Sequence, residues 1–258
     1  MSLLEDKVAV VYGGGGAIGS AVARAFHAEG ARVFLAGHRK ASLASVGLKT
    51  AELDEVDALD ERAVDAHFDS VVKRAGRVDV AFDGVGFPSG EVVGVPLLDL
   101  DAERFTQPLL KYARTWFLVA RHAARRMVPN GSGVIMTVTA LHSRMGLPLV
   151  GGYTPAMASK EALTRALSAE LGPRGIRVLG LRPQAIPESS TIRAAYEPRK
   201  KASGLTWEQW KEMLAARTHP RRLLAAEEVG RMAAFAASEH GSALTGTTLN
   251  LTLGSLDD

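Results

Sequence analysis

The chain has 258 residues, a formal net charge of +3 and 47% apolar residues, enough for a large core at a length that α/β folds often use for one domain, here residues 1–258. It has no cysteine, which excludes disulfide and thiolate chemistry and fits a reducing, cytoplasmic compartment. No apolar run is long enough to span a bilayer, no signal core follows a charged N-terminus, basic residues are interspersed with Glu and Asp, and the seven histidines lack ligand spacing; a membrane segment, a nucleic-acid footprint and a metal centre are therefore not expected.

The first elements are the most informative. Val8 to Val11 form a short β-branched run, the pattern of a parallel strand covered on both faces, and a helical pattern runs from Ser20 to Glu29. Between them Gly13, Gly14, Gly15, Gly16 and Gly19 remove side chains at the strand-to-helix turn, so that backbone can approach a pyrophosphate and aim helix N-terminal N–H groups at it. The alternative is a tight turn and nothing more; the strand before and the helix after favour a dinucleotide site. A second strand, Arg32 to Ala36, ends in Gly37-His38-Arg39-Lys40. A carboxylate at that point would bond the ribose hydroxyls of NAD; its absence, with His38 and Arg39 able to grip a 2′-phosphate, favours NADP(H) over NAD(H). A solvated basic turn is the plainer alternative.

Further strands are predicted near Ala51 to Val56, at Val78 to Phe82, Gly133 to Thr139, Arg177 to Leu181 and Thr248 to Leu251. Helical patterns occupy Glu61 to Arg74, Arg104 to Met127, Pro155 to Leu171 and Glu227 to Ser238. This alternation implies a single-domain, Rossmann-type doubly wound parallel sheet with helices on both faces. Residues 187–220 stand apart as a charged, aromatic segment. Ile192, Tyr196, Leu205, Trp207 and Trp210 beside Arg193, Arg199, Lys200 and Lys201 would cover a bulky apolar substrate with an anionic handle. The same spacing of Trp207, Trp210 and Leu214 equally suits an amphipathic helix packed on the body.

These residues resemble the short-chain dehydrogenase/reductase family over nearly the whole chain. Tyr12 through Gly19 is similar to its Thr-Gly-x-x-x-Gly-x-Gly, with Tyr12 for Thr and Ala17 for the middle Gly. Asp57-Ala58-Leu59-Asp60 resembles its acidic turn, Asp83-Gly84-Val85-Gly86 stands where Asn-Asn-Ala-Gly is usual, and Thr245-Gly246 resembles its turn before the last strand. Arg182-Pro183-Gln184-Ala185-Ile186-Pro187-Glu188 replaces Pro-Gly-x-Ile-x-Thr. The resemblance implies a cofactor cradle of Gly13, Gly15, Gly16, Ile18, Gly19, His38, Arg39, Asp57, Ala58, Asp83, Gly84, Val85, Lys160 and Ile186. It also implies a homodimer or homotetramer built through the two long central helices.

The expected active site departs from the family. Lys160 stands at the position of the family's lysine, but Ala156 occupies the tyrosine position, Tyr112 that of the Asn, and Ala140 that of the Ser if Tyr153 is the anchor. Tyr153 precedes Lys160 by six intervening residues, a spacing similar to that of the family's enoyl-thioester reductases. On this reading Thr154 caps the helix, Pro155 takes its first position and Tyr153 lies in the loop before it, free to swing over a nicotinamide. Lys160 would then hydrogen-bond the ribose and favour the phenolate. Tyr153 as proton donor stands beside Tyr153 as an ordinary amphipathic junction residue, and Ser143 is either a donor to a substrate oxygen or a turn cap. His142 reaches the same space but fits a structural role, and Asp83 either touches the cofactor or holds structure. The function expected is NADPH-dependent reduction of a carbonyl or activated enoyl group; the alternative is a catalytically silent NADP-binding sensor or scaffold.

Overall fold

The computed structural model describes residues 2–88 and 92–257, without the side chains of residues 198, 199, 201 and 202. The basic pair Arg199 and Lys201 of the covering segment thus lies outside the described side chains.

β1 (Val8–Tyr12) runs into α1 (Ala17–Ala28), and β2 (Arg32–Gly37), α2 (Lys40–Ala44) and β3 (Glu52–Glu55) follow. Next come α3 (Glu61–Ala75), β4 (Val80–Asp83), α4 (Ala102–Met127), β5 (Gly133–Val138), α5 (Tyr153–Leu171) and β6 (Ile176–Pro183). The chain closes with α6 (Ser190–Ser203), α7 (Trp207–Ala215), α8 (Ala226–Ala237) and β7 (Thr247–Leu251). Among the described residues the strands form one seven-stranded parallel sheet, ordered β3-β2-β1-β4-β5-β6-β7. Its order reverses between β1 and β4, and in such sheets ligands bind at the carboxyl ends of strands flanking that reversal.

Alternation along the strands sends side chains to two cores. Ala9, Val11, Val33, Leu35, Phe82 and Met136 face α1 and α8, whereas Val10, Tyr12, Phe34, Ala81 and Ile135 face α3, α4 and α5. Asp83, two residues after Ala81, faces the second layer at the carboxyl end of β4, in register with Tyr12 on one side and Thr137 on the other.

The predicted elements are present with shifted ends. α1 begins at Ala17, three residues before the expected start, because the glycine turn itself leads into the helix. α4 begins at Ala102, where the Asp101 carboxylate accepts from Arg104 N at 2.8 Å, and it accommodates Pro108 in its second turn. β4 lies two residues later than expected at its start and ends on Asp83. α2 and α6 were not legible as helices: α2 is five residues long and α6 carries Pro198 and a run of charge.

Candidate active site

The glycine turn is closed below and open above. Gly13 has φ +70°, and a Cβ there would overlap the carbonyl of Gly84, so the ends of β1 and β4 touch backbone to backbone. A Cβ on Gly19 would overlap the Gly13 carbonyl, which lets α1 close onto the turn, and one on Gly15 would come 2.8 Å from Ser42 of α2. Gly16 is exposed, its added Cβ meeting only Gly13 O at 3.4 Å, and one on Gly86 would meet nothing within 4 Å. α1 starts with no side-chain cap and no acidic residue in its first turn, leaving its N-terminal N–H groups for an anion. These features fit a dinucleotide pyrophosphate. Ile18 packs partly against the core beside this turn, and Ile186 is buried in the same core.

At the far end of the crevice, β2 finishes on Gly37 with no carboxylate following. His38 is largely exposed, with Nε2 3.8 Å from Asp57 Oδ2, while the other oxygen of Asp57 accepts from Leu59 N at 2.9 Å. Arg39 is exposed at the start of α2, and Ala58 is buried on the α3 side of the sheet.

The end expected to carry the chemistry differs from expectation in three respects. Lys160 and Asp83 are both wholly buried, and Lys160 Nζ donates to Asp83 Oδ2 at 3.0 Å. Thr137 Oγ1 donates to the same oxygen at 3.3 Å and Val85 N to Oδ1 at 3.2 Å. The ammonium also lies 5.7 Å from the ring centre of Tyr112. The lysine offered to the ribose and the phenolate is thus held by a carboxylate, the structural alternative open for Asp83. The reason lies in β4: its alternation aims Asp83 at α5, and a buried charge requires an opposite partner.

The second correction concerns Tyr153, which is the first residue of α5 and not part of a loop. Gly152, not Thr154, occupies the cap position, already in helical conformation at φ −70°, ψ −4°, and no side chain caps the helix. A Cβ on Gly152 would overlap the Phe105 carbonyl, so the turn is pressed against α4 and the helix starts at once. Thr154 Oγ1 is buried with no hydrogen-bond partner, and Pro155 falls at the third helical position. Tyr153 is held edge-on between Tyr112 and His142, with ring centres at 5.8 and 5.4 Å. Ala140, Ala156, Met157, Phe87 and Leu109 complete that cluster. Burial, reinforced by Tyr112, pushes the Tyr153 phenol above its ordinary value. Tyr112 is likewise raised by burial, although its oxygen accepts from Phe87 N at 3.2 Å.

The third concerns Ser143, whose hydroxyl is engaged by the Glu161 carboxylate and accepts from Arg182 Nε at 3.1 Å. Arg182 also donates to Glu161 at 2.9 Å through Nε and 2.8 Å through Nη2, and Thr139 Oγ1 donates to it at 3.1 Å. Burial by itself would raise the Glu161 carboxyl, but Arg182, Ser143 and Thr139 together hold it below the usual range. Glu161 was missed in the sequence. Its signal was a second charge directly beside Lys160, on a helix whose preceding turn (Ala156, Met157, Ala158, Ser159) is small and apolar; such a charge, once buried, demands a partner.

In the segment after β6, Tyr196, Trp207 and Trp210 pack on one another with ring centres 5.2 to 5.5 Å apart. Arg193 and Lys211 lie 4.9 and 5.6 Å from the Trp207 ring centre. Trp210 is buried, as an amphipathic α7 packed on the body requires. Two surface depressions of about 560 and 590 Å3 lie elsewhere, one at the start of α3 and one between α8 and β7, and neither is lined by Tyr153 or Lys160. The glycine turn and the strand ends, not cavity size, locate the site.

Residues 15–255 match a family model described as enoyl-(acyl carrier protein) reductase. The chain is 31% identical to (+)-borneol dehydrogenase 1 of Salvia officinalis, over 96% of this chain and 93% of that one. It is 31% identical to a (+)-cis,trans-nepetalactol synthase of Nepeta racemosa, over 95% and 92%. The fold superposes on an NAD+-bound xylitol dehydrogenase with a TM-score of 0.87 at 24% identity, covering 97% of this chain and 99% of that one. With the family model and the relatives in agreement, and a parallel seven-stranded sheet to match, the chain belongs to the short-chain dehydrogenase/reductase family of nicotinamide-dependent oxidoreductases.

Proposed function

We propose that the protein is an NADPH-dependent reductase acting on a carbonyl or activated enoyl group, with Tyr153 as the proton donor. The observation that carries the reading is the phenol of Tyr153 held between Tyr112 and His142 at the carboxyl end of the sheet, beside the buried Lys160–Asp83 pair. When bound, the reduced nicotinamide supplies hydride. Gly13 and Gly19 shape the turn, the uncapped start of α1 binds phosphate, and Asp57 and Ala58 border the adenine end. Lys160 orients the ribose side of the pocket from its place on Asp83, and Val85, fixed by that carboxylate, lines the same edge. Ser143 steadies the turn after β5 through Glu161 and is not assigned the proton.

For the cofactor, support comes from Gly37 in place of a carboxylate and from Arg39 exposed beside it. For the substrate, support comes from the apolar ring cluster around Tyr153 and from relatives named for borneol and nepetalactol, which points to a bulky, largely apolar ketone or enal. The exposure of Leu110 and Phe117 on α4 supports a homodimer or homotetramer contact there. Among the described residues no helix is long and apolar enough to cross a membrane. We place the protein in the cytoplasm.

The test is NADPH oxidation against a panel of bicyclic ketones, enals, quinones and enoyl thioesters. Tyr153→Phe is expected to keep NADPH affinity and to lower turnover by about a hundredfold, the usual range for a general acid. Full activity of Tyr153→Phe overturns the assignment of the donor. NADPH bound tightly with no panel member turned over counts against the reductase reading.

A further inference from the structure

We propose that Asp83 is a positioning residue which neutralises Lys160, so that Tyr153 remains a protonated phenol at neutral pH and the site favours giving a proton over taking one. This rests on Tyr153 being the proton donor and adds the direction in which the site works.

The geometry begins with two side chains from which water is excluded. Lys160 Nζ lies 3.0 Å from Asp83 Oδ2 with neither side chain exposed. The carboxylate cannot turn away, because Thr137 and Val85 donate to its two oxygens at 3.3 and 3.2 Å and its own strand is paired on both sides. At such a site the ammonium's field is cancelled at short range by the carboxylate. What reaches a group farther away is a dipole.

Tyr153 is such a group. It lies seven residues before Lys160 on α5, about two helical turns, and the Tyr112 ring meets both: edge-on to Tyr153 at 5.8 Å, and under the ammonium at 5.7 Å. Among the described residues, the titratable groups packed around Tyr153 are Tyr112 from α4 and His142 from the turn after β5, with Lys160 on its own helix, Asp83 behind Lys160 from β4, and Lys111 5.7 Å from the ring centre of Phe87. Burial and Tyr112 both disfavour the phenolate. An Asn at position 83 would leave the ammonium uncancelled, whereas the aspartate silences it.

The chemical consequence is directional. Reduction adds a hydride from the reduced nicotinamide to the substrate carbon and breaks the Tyr153 O–H bond, its proton passing to the substrate oxygen; the phenolate then recovers a proton from water. In the opposite direction the Tyr153 phenolate would take the alcohol's O–H proton while the C–H hydride went to the oxidised nicotinamide, leaving a carbonyl, and that phenolate is scarce at neutral pH when Tyr153 stays protonated. The oxidation rate should therefore climb with each pH unit without a plateau below about pH 10, the ordinary range of a tyrosine.

The deciding measurement is tyrosinate absorbance near 295 nm against pH, with Tyr153→Phe subtracted so that residue 153 alone is read. It is made on the wild type, on Asp83→Asn and on Asp83→Asn/Lys160→Met, with circular dichroism to follow the fold. The wild type is expected to show no ionisation of Tyr153 below about pH 10. Asp83→Asn is expected to lower the midpoint by at least about one pH unit, an effect of the size a nearby opposite charge produces. The double variant, which removes both charges, should return to wild-type behaviour. Ionisation of Tyr153 below about pH 9 in the wild type, or a folded Asp83→Asn titrating with the wild type, overturns the proposal. If Asp83→Asn does not fold, ionisation of Tyr153 below about pH 9 in the wild type still overturns the proposal. Because the titration reads no turnover, an active Tyr153→Phe would remove the proton-donor assignment while leaving the charge assignment to stand on its own measurement.

Discussion

Gly13 and Gly84 meet with no room for a side chain between them: Gly13 sits at φ +70°, and a Cβ on it would overlap the Gly84 carbonyl. The contact sets the distance between the carboxyl ends of β1 and β4, and so the floor of the dinucleotide crevice. Gly13→Ala combines that overlap with a left-handed backbone, which costs about 1 to 3 kcal/mol by itself. At this chain length each kcal/mol lowers the melting temperature by about 2 to 4 °C. A fall of at least about 4 °C, with loss of NADPH binding, is expected by thermal unfolding and titration calorimetry. Gly16→Ala, whose added carbon meets only Gly13 O at 3.4 Å, should melt with the wild type. Equal melting of the two variants would show that the contact is not what shapes the crevice.

The basic turn after β2 bears on cofactor choice. A charge-assisted contact between Arg39 and a 2′-phosphate contributes about 1.5 to 3 kcal/mol, roughly tenfold to a hundredfold in affinity. Calorimetry should find NADPH bound more tightly than NADH, and Arg39→Ala should remove most of the gap while leaving NADH affinity in place. Equal affinities in the unsubstituted protein would exclude the assignment.

Glu161 and Arg182 form a second buried ion pair, with both side chains about 3% exposed. Removing one member strands the other and costs about 3 to 5 kcal/mol, whereas replacing both with apolar side chains is often neutral. Arg182→Leu should therefore be far less stable to urea than Arg182→Leu/Glu161→Leu. The pH dependence follows from the sign of the shift. The Glu161 carboxyl is held below its unfolded value despite burial, so its contribution is complete above that value and lost as pH falls through the lower folded one. Urea midpoints at pH 7 and pH 4 should differ less for the double variant than for the wild type. An unchanged difference would assign the acid sensitivity to other groups.

Beneath the glycine turn the Tyr12 hydroxyl lies 2.7 Å from His67 Nδ1, His67 Nε2 lies 3.4 Å from Asp54 Oδ2, and Arg74 donates to that oxygen at 2.7 Å. Burial would raise the Asp54 carboxyl, yet His67 and Arg74 draw it down to about 2. Its stabilisation is present above the ordinary aspartate value, about 3.9, and is lost between there and about 2. Asp54→Asn should flatten the acid limb of a stability profile in that window. A limb as steep as in the wild type would mean that Asp54 contributes nothing there.

Much of this architecture was legible from local chemistry. The β-branched runs, the helical periodicity between them and the glycine turn each act over a few residues, so Val8 to Tyr12, Glu61 to Arg74 and Arg104 to Met127 announced their states without knowledge of their neighbours. The ends were less visible. Tyr153 reads as a loop residue because Thr154 and Pro155 are good helix starters, but Gly152 pressed against Phe105 begins the helix earlier.

The sequence by itself determined the class of sheet, the place of its glycine crevice, the absence of a carboxylate after β2 and the presence of a Tyr and a Lys separated by six residues around the start of one helix. Only the tertiary structure decided what those groups do to each other. Asp83 and Lys160 are 77 residues apart, and Ser143 and Glu161 are 18 apart, so no local pattern joins them. Their pairing follows from the alternation of β4 and the packing of α5 against α4, which place charged groups where water cannot reach and leave each the other as its partner.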